Sequence, residues 1–177
     1  MSPHAVLLRA VNVGGHGKIA MAELRDTLIA AGFGAVRTHI QSGNVVLDDP
    51  QGGVDLSERI HAALAERFGA APEIIVLTPQ ELGTVLAACP FTDADPARVL
   101  ALLHGGNAAP DAVRLHRLAT ATERWAAAER ALWLHCPDGF GRSKLAAGAE
   151  RAMGVAATGR NLRTLRALFD LVTETRP

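Results

Sequence analysis

The chain has 177 residues and a mass of 18.6 kDa; it is 49% hydrophobic and 20% charged, with 18 basic against 18 acidic side chains. That composition excludes a disordered or collagen-like chain, and the neutral balance argues against a protein built to coat nucleic acid or an anionic membrane. Two cysteines, Cys89 and Cys136, are too few for a disulfide framework or a four-ligand zinc site.

Ala5–Val11 is a compact apolar run interrupted by Arg9 and reads as a buried strand. A glycine-rich loop follows, and Met21, Leu24, Leu28 and Ala31 then recur at helical spacing, with Gly32 placed for a C-terminal cap. Val36–Ile40 and Val45–Leu47 read as strands around a Ser42-Gly43 turn. Asp55 and Glu58 form a capping-box pattern ahead of the stripe Leu56, Ile60, Leu64 and Phe68, and Ile74–Leu77 closes as a β-branched strand. The order βαββαβ is ferredoxin-like. Thr78-Pro79-Gln80-Glu81 starts a further helix. The second half begins with the strand Val99–His104 and a short helix near Asp111–Leu115. A hairpin with arms Thr122–Ala128 and Ala131–Cys136 comes next. Ser143 is placed to cap one more helix and Asn161 the last, which is lined by Leu162, Leu165, Leu168 or Phe169, and Val172.

The expected fold class is α+β, with two ferredoxin-like βαββαβ-type halves. The second repeats the pattern in part and ends in an extra helix rather than a strand. The expected divisions are 1–78 for the N-terminal half, 79–97 for a helical connector, and 98–177 for a C-terminal α+β half with basic helices. Self-similarity between the halves is too weak to read as a duplication. No apolar run approaches a membrane span, and the Met1–His4 opening is short and polar rather than a signal peptide. A cytoplasmic, reduced protein with no membrane partner, monomeric or homodimeric, is therefore expected.

The scarce residues carry information. Arg supplies 16 of the 18 basic side chains and Ala is abundant, as in chains whose surface Lys and Ser have drifted to Arg and Ala. Only two lysines remain, Lys18 and Lys144, with four asparagines and four serines. Most fall in N-V-G-G-H-G-K at 12–18, Q-S-G-N at 41–44, R-S-K at 142–144 and T-G-R-N at 158–161. Asn, Ser and Gly also gather at turns for local backbone reasons, which accounts for much of the enrichment but not for the two lysines. In a βαββαβ unit the loop after the first strand and the hairpin between the second and third strands leave the same end of the sheet. Asn12–Lys18 is therefore expected beside Gln41–Asn44. Neutral amides, the Lys18 charge and a glycine loop that admits close backbone approach suit a phosphate, carboxylate or carbonyl.

Named motifs are absent. Gly17-Lys18 is followed by Ile19, which breaks a P-loop, and no dinucleotide fingerprint, zincin or nucleophile-elbow pattern occurs. The seven histidines show no metal-ligand spacing, so no metal site is expected, and no motif names a cofactor. With no Tyr and no aromatic on the first half's central strands, base stacking on the sheet is disfavoured. Cys136, Trp125 and Trp133 read as packing residues. Charge divides unevenly: residues 142–166 carry Arg142, Lys144, Arg151, Arg160, Arg163 and Arg166 against Glu150 alone, as a solvated helix face or a nucleic-acid surface would.

Leu8–Gly15 (L-R-A-V-N-V-G-G), Lys18 followed by Met21, Ile40–Val46 (I-Q-S-G-N-V-V), Ser143–Leu145 (S-K-L) and Thr158–Asn161 (T-G-R-N) resemble a bacterial family of uncharacterised proteins, the domain-of-unknown-function 1697 family. The resemblance implies two ferredoxin-like halves and no established activity. Residue by residue it points to Arg9, Asn12, Gly14, Gly15, Lys18, Gln41, Ser42, Gly43, Asn44, Ser143, Lys144, Arg160 and Asn161. Ala10 stands in place of the family's usual Gly, His39 of a common Tyr and Leu162 of a common Trp, which removes aromatic surface for a planar ligand. The leading expectation is a pocket for a small anionic ligand formed by the 12–18, 41–44 and 143–161 segments. The alternatives are an enzyme using Lys144, Ser42 or Ser143 at that pocket, though the sequence names no activating base, a nucleic-acid-binding module using 142–166, and a protein-interaction module using an exposed strand edge.

Overall fold

In the computed structural model, which describes residues 2–12, 19–106 and 108–174, alternating apolar strands and one-sided helices assemble two four-stranded antiparallel sheets. The first contains β1 (Ser2–Leu8), β2 (Gly34–His39), β3 (Asn44–Asp49) and β4 (Ile74–Leu77), in the order β2-β3-β1-β4. The helices α1 (Met21–Ala30) and α2 (Leu56–Phe68) lie between its strands in sequence. The helix α3 (Pro79–Ala87) follows β4. The second sheet contains β5 (Val99–Leu103), β6 (Arg124–Ala127), β7 (Ala131–His135) and β8 (Thr158–Asn161), in the order β6-β7-β5-β8, with α4 (Ala112–Leu118) and α5 (Lys144–Met153) as its connecting helices. The last helix, α6 (Leu162–Thr173), begins directly after β8. Both sheets have the ferredoxin-like arrangement.

The chain forms two units: residues 1–83 together with 167–177, and residues 84–166. In the first, Leu24 and Leu28 of α1 and Ile60 and Leu64 of α2, each pair four residues apart, are fully buried against Val6, Leu8, Val45 and Leu47. Each such side chain contributes about 1.5–3 kcal/mol of burial. In the second, Leu115, Leu145, Ala149 and Met153 cover Leu102, Leu132 and Leu134. Gly148 admits a close crossing, since a Cβ there would lie 2.6 Å from Leu118 Cδ1.

Three local expectations need correction. The first strand ends at Leu8 rather than Val11, because Ala10 (φ 55°) and Asn12 (φ 58°) turn left-handed and break the extended run. Asp55 makes no side-chain cap; it is itself left-handed (φ 48°). Thr158–Asn161 is a strand, paired antiparallel with Leu100–Leu103, so the second unit closes its sheet before the extra helix begins. The reciprocal box at α3 forms as expected, with the Thr78 amide donating to Glu81 (2.8 Å) and the Glu81 amide to Thr78 Oγ1 (3.1 Å). Ser143 and Asn161 accept from the amides of Ala146 and Thr164 at the expected helix starts. No described helix is long and apolar enough to cross a membrane.

Candidate functional site

The end of the first sheet where β1 finishes and β3 begins brings Asn12, the first residue of the 12–18 motif, to the Gln41–Asn44 motif. Leu7 lies opposite Asn44, and His39 lies opposite Asn44 from the other side. Asn12 joins the loop after β1 to the β2–β3 turn. Its Nδ2 donates to the carbonyls of Ile19 and Gln41, both at 2.9 Å, and its Oδ1 accepts from the Ile19 amide at 3.0 Å. A single amide side chain thus saturates both its donor hydrogens and an acceptor position, which explains why a neutral Asn rather than an acid stands here. Gly14, Gly15 and Lys18 lie outside the described residues, but Ile19, the neighbour of Lys18, is held on both its N–H and its C=O.

Asn44 is fully buried and locks the turn: Nδ2 donates to the His39 carbonyl (3.1 Å) and to Ser42 Oγ (2.9 Å). Gly43 is left-handed (φ 69°), and its carbonyl accepts from the Leu8 amide at 2.8 Å. A Cβ at Gly43 would lie 2.9 Å from Leu8 Cβ and 3.2 Å from Val11 Cβ. Arg9 extends from the end of β1 to Glu73, with Nη1 3.1 Å from Oε2, while the Gln41 side chain is exposed. Asn12, Gly43 and Asn44 therefore build this end of the sheet, and Arg9 and Gln41 present polar groups from it. Three of the five described non-glycine residues with positive φ (Ala10, Asn12 and Ile40) are concentrated here. Ile40 is β-branched and 54% exposed, so core packing does not impose its conformation.

In the second unit the selected residues have separate local roles. Ser143, buried, caps α5 and lies 3.5 Å from the Cys136 thiol. Both side chains meet the Glu123 carboxylate, a contact no sequence pattern announces. Burial alone would raise the Glu123 carboxyl, but the Ser143 hydroxyl, the Thr120 amide and hydroxyl, and the Cys136 thiol together hold it below the usual value. Burial, with the Glu123 charge, pushes the Cys136 thiol up, so the group is inert at neutral pH. Lys144 is exposed in the first turn of α5, with no ion pair among the described residues. Arg160 is buried, donates to Thr158 Oγ1 (2.9 Å) and the Gly159 carbonyl (2.8 Å), and burial lowers its pKa to about 10. It remains protonated at neutral pH. The basic stretch is consequently distributed: Lys144 and Arg151 on α5, Arg160 inside β8, and Arg163 and Arg166 exposed on α6.

A groove of about 740 Å³ between α1 and α2, lined by Glu23, Asp26, Thr27, Glu66 and Arg67 among others, contains none of the sequence-selected residues. Among the described residues, no group of His, Cys, Asp and Glu is arranged to hold a metal ion.

These observations define a class: an α+β protein of two ferredoxin-like units, with a polar, locally strained end on the first sheet. A solved structure titled as the conserved bacterial protein SP0830 from Streptococcus pneumoniae superposes with a TM-score of 0.72 at 21% identity, over 97% of this chain and 99% of that one, which supports the fold. Residues 1–133 match the family described as "Protein of unknown function (DUF1697)", and the chain belongs to that family. The matched stretch includes the 12–18 and 41–44 motifs and ends before Ser143 and Thr158. Comparison with curated proteins gives no match.

Proposed function

We propose that the end of the first sheet binds a small anionic ligand, a phosphate or carboxylate carrier. Lys18 supplies the charge, Gln41 and the Gly14–Gly15 backbone the neutral hydrogen bonds, and Asn12, Gly43 and Asn44 the frame. The observation that carries this reading is the concentration of left-handed backbone at Ala10, Asn12 and Ile40. Such conformations cost about 1–3 kcal/mol each and persist where the surroundings over-determine them, most often at ligand clamps and switch regions. Asn12 over-determines this one, with three hydrogen bonds spanning two loops. Lys144 and Arg160 are the second unit's candidate cations; of these, Lys144 is exposed and Arg160 is engaged within its own strand.

Thermal melting of the wild type against nucleotides, sugar phosphates, carboxylates and inorganic phosphate tests the reading, with Lys18→Ala and Lys144→Ala measured singly and together. A ligand present at about 100 times its dissociation constant adds roughly 2.7 kcal/mol of stability. In a chain of this size that raises the melting temperature by several degrees. The expected result is a shift for one ligand class that Lys18→Ala abolishes. Lys144→Ala, in the second unit, should leave that shift in place. A wild type that shifts with nothing, or a shift indifferent to Lys18, would reduce the motif to loop architecture.

A further inference from the structure

Each sheet has two edges, and three of the four carry a feature that discourages pairing with another strand. β2 is interrupted by a register shift between Gly34 and Arg37 and carries Arg37 and His39; β6 opens with Arg124; β8 contains Gly159 and Arg160. β4 is the exception: Ile74-Ile75-Val76-Leu77 has no charge, no glycine and no proline. Ile74, Ile75 and Val76 are only partly buried, and Phe68, Ala71, Ile74 and Val76 form a half-covered apolar rim beside the core of the first unit. Exposed edges of this composition are templates for strand addition.

The backbone fixes which groups are offered. The Arg9 amide donates to the Glu73 carbonyl at 2.9 Å, and the β1–β4 register continues that pairing through Leu7 with Ile75 and Ala5 with Leu77. In an antiparallel ladder, hydrogen-bonded and non-bonded pairs alternate, so Ile74 and Val76 direct their N–H and C=O groups away from β1. The ladder is bounded on both sides. Pro72, the next outward residue before Ile74, has no N–H, and the Thr78 amide after Val76 is already given to Glu81.

We propose that β4 pairs antiparallel with β4 of a second copy of this chain, about a two-fold axis passing through Ile75. Ile74 then faces Val76 of the second copy and the reverse, and all four outward donors and acceptors on each strand are used, in four hydrogen bonds. Registers centred on Ile74 or Val76 bring an outward group against Pro72 or Thr78 and forfeit part of the ladder. The match is isologous, the commonest symmetry of homodimers, and it places only β-branched apolar side chains opposite one another. Four residues and their rim cover less than the ~1,200 Å² of a standard stable interface, so the dimer forms at micromolar concentration or above.

Sedimentation equilibrium over a wide concentration range, with Val76→Pro and Ile75→Cys, tests the proposal. Val76→Pro removes an N–H that β1 does not use and should weaken association at least tenfold while leaving the circular dichroism unchanged. The two Ile75 positions form a non-hydrogen-bonded pair with Cβ atoms ~4.5–5.5 Å apart, near disulfide reach. Oxidised Ile75→Cys should therefore cross-link as a dimer much faster than a Ser57→Cys control on the exposed face of α2, and because both native thiols are buried the background is low. A wild type monomeric at all concentrations, a dimer that survives Val76→Pro, or cross-linking no faster at Ile75 than at Ser57 would each overturn it. Should Val76→Pro fail to fold, the cross-linking comparison still decides.

Discussion

Replacing Gly43 by Ala isolates what the buried turn at the proposed site demands of the backbone. Two glycines have nearly the same left-handed conformation, Gly43 at φ 69° and Gly52 at φ 71°. A Cβ at Gly52 meets nothing within 4 Å, whereas one at Gly43 meets Leu8 Cβ at 2.9 Å and Val11 Cβ at 3.2 Å. Both substitutions incur the left-handed penalty of about 1–2 kcal/mol for an L side chain. Only Gly43→Ala adds overpacking, typically about 1–3 kcal/mol. Leu8 is 1% exposed and the contact is with its Cβ rather than a flexible tip, so little can give way and the upper part of that range applies. Urea unfolding of the two variants should then differ by about 2–3 kcal/mol. At roughly 2–4 °C per kcal/mol for a domain of this size, their melting temperatures should differ by about 4–12 °C. Equal losses in the two variants would show that the turn relaxes freely and that Gly43 is there for its φ alone.

Three further outcomes follow from the geometry. Ala10→Gly places the residue that tolerates φ 55° at an exposed position and should raise stability by up to about 1 kcal/mol, read as a higher melting temperature. Asp49 is buried, and burial alone would raise its carboxyl; Arg59 and the Gln51 and Gly53 amides outweigh that and hold it below the usual value. A carboxyl depressed in the folded state contributes stability above its ordinary pKa and loses it as pH falls through the depressed value, so this contribution disappears below about pH 4. Arg59→Met should therefore shift the acid-unfolding midpoint upward, measured by circular dichroism across an acid titration. Cys89 and Cys136 are buried with thiols raised mainly by that burial, so a thiol reagent at pH 8 should label neither until denaturant is added.

The first unit was largely legible because its signals are periodic. Leu24 and Leu28, and Ile60 and Leu64, mark buried helix stripes, and the Thr78–Glu81 box marks a helix start that forms as written. What escaped was decided by tertiary pairing or backbone conformation. Thr158–Asn161 has the composition of a turn and becomes a strand because β5 supplies its partner. Asp55 looks like a cap but adopts a left-handed conformation from which its side chain makes no capping bond. At the candidate site, the adjacency of Asn12 and Gln41 could be read from topology, since parallel β1 and β2 deliver both loops to one sheet end. The division of labour could not: residue type does not tell a framing Asn44 from an exposed Gln41. Glu123 was invisible, since nothing in its neighbourhood in sequence pairs it with Ser143 twenty residues later.

Arg37 on β2 reaches the end of α6, donating through Nη2 to the Leu171 carbonyl at 2.9 Å and pairing through Nη1 with Glu174 at 2.6 Å. The first unit thus takes its final piece, residues 167 onward, from the far end of the chain. During synthesis β2 leaves the ribosome well ahead of Leu171 and Glu174, and the whole second unit is made before this edge strand acquires its clasp. A fragment cut after residue 83 would be a truncation of that unit rather than an excision of it, and dissection of this protein should carry the C-terminal segment along. Of the two units, the one begun earlier is completed later.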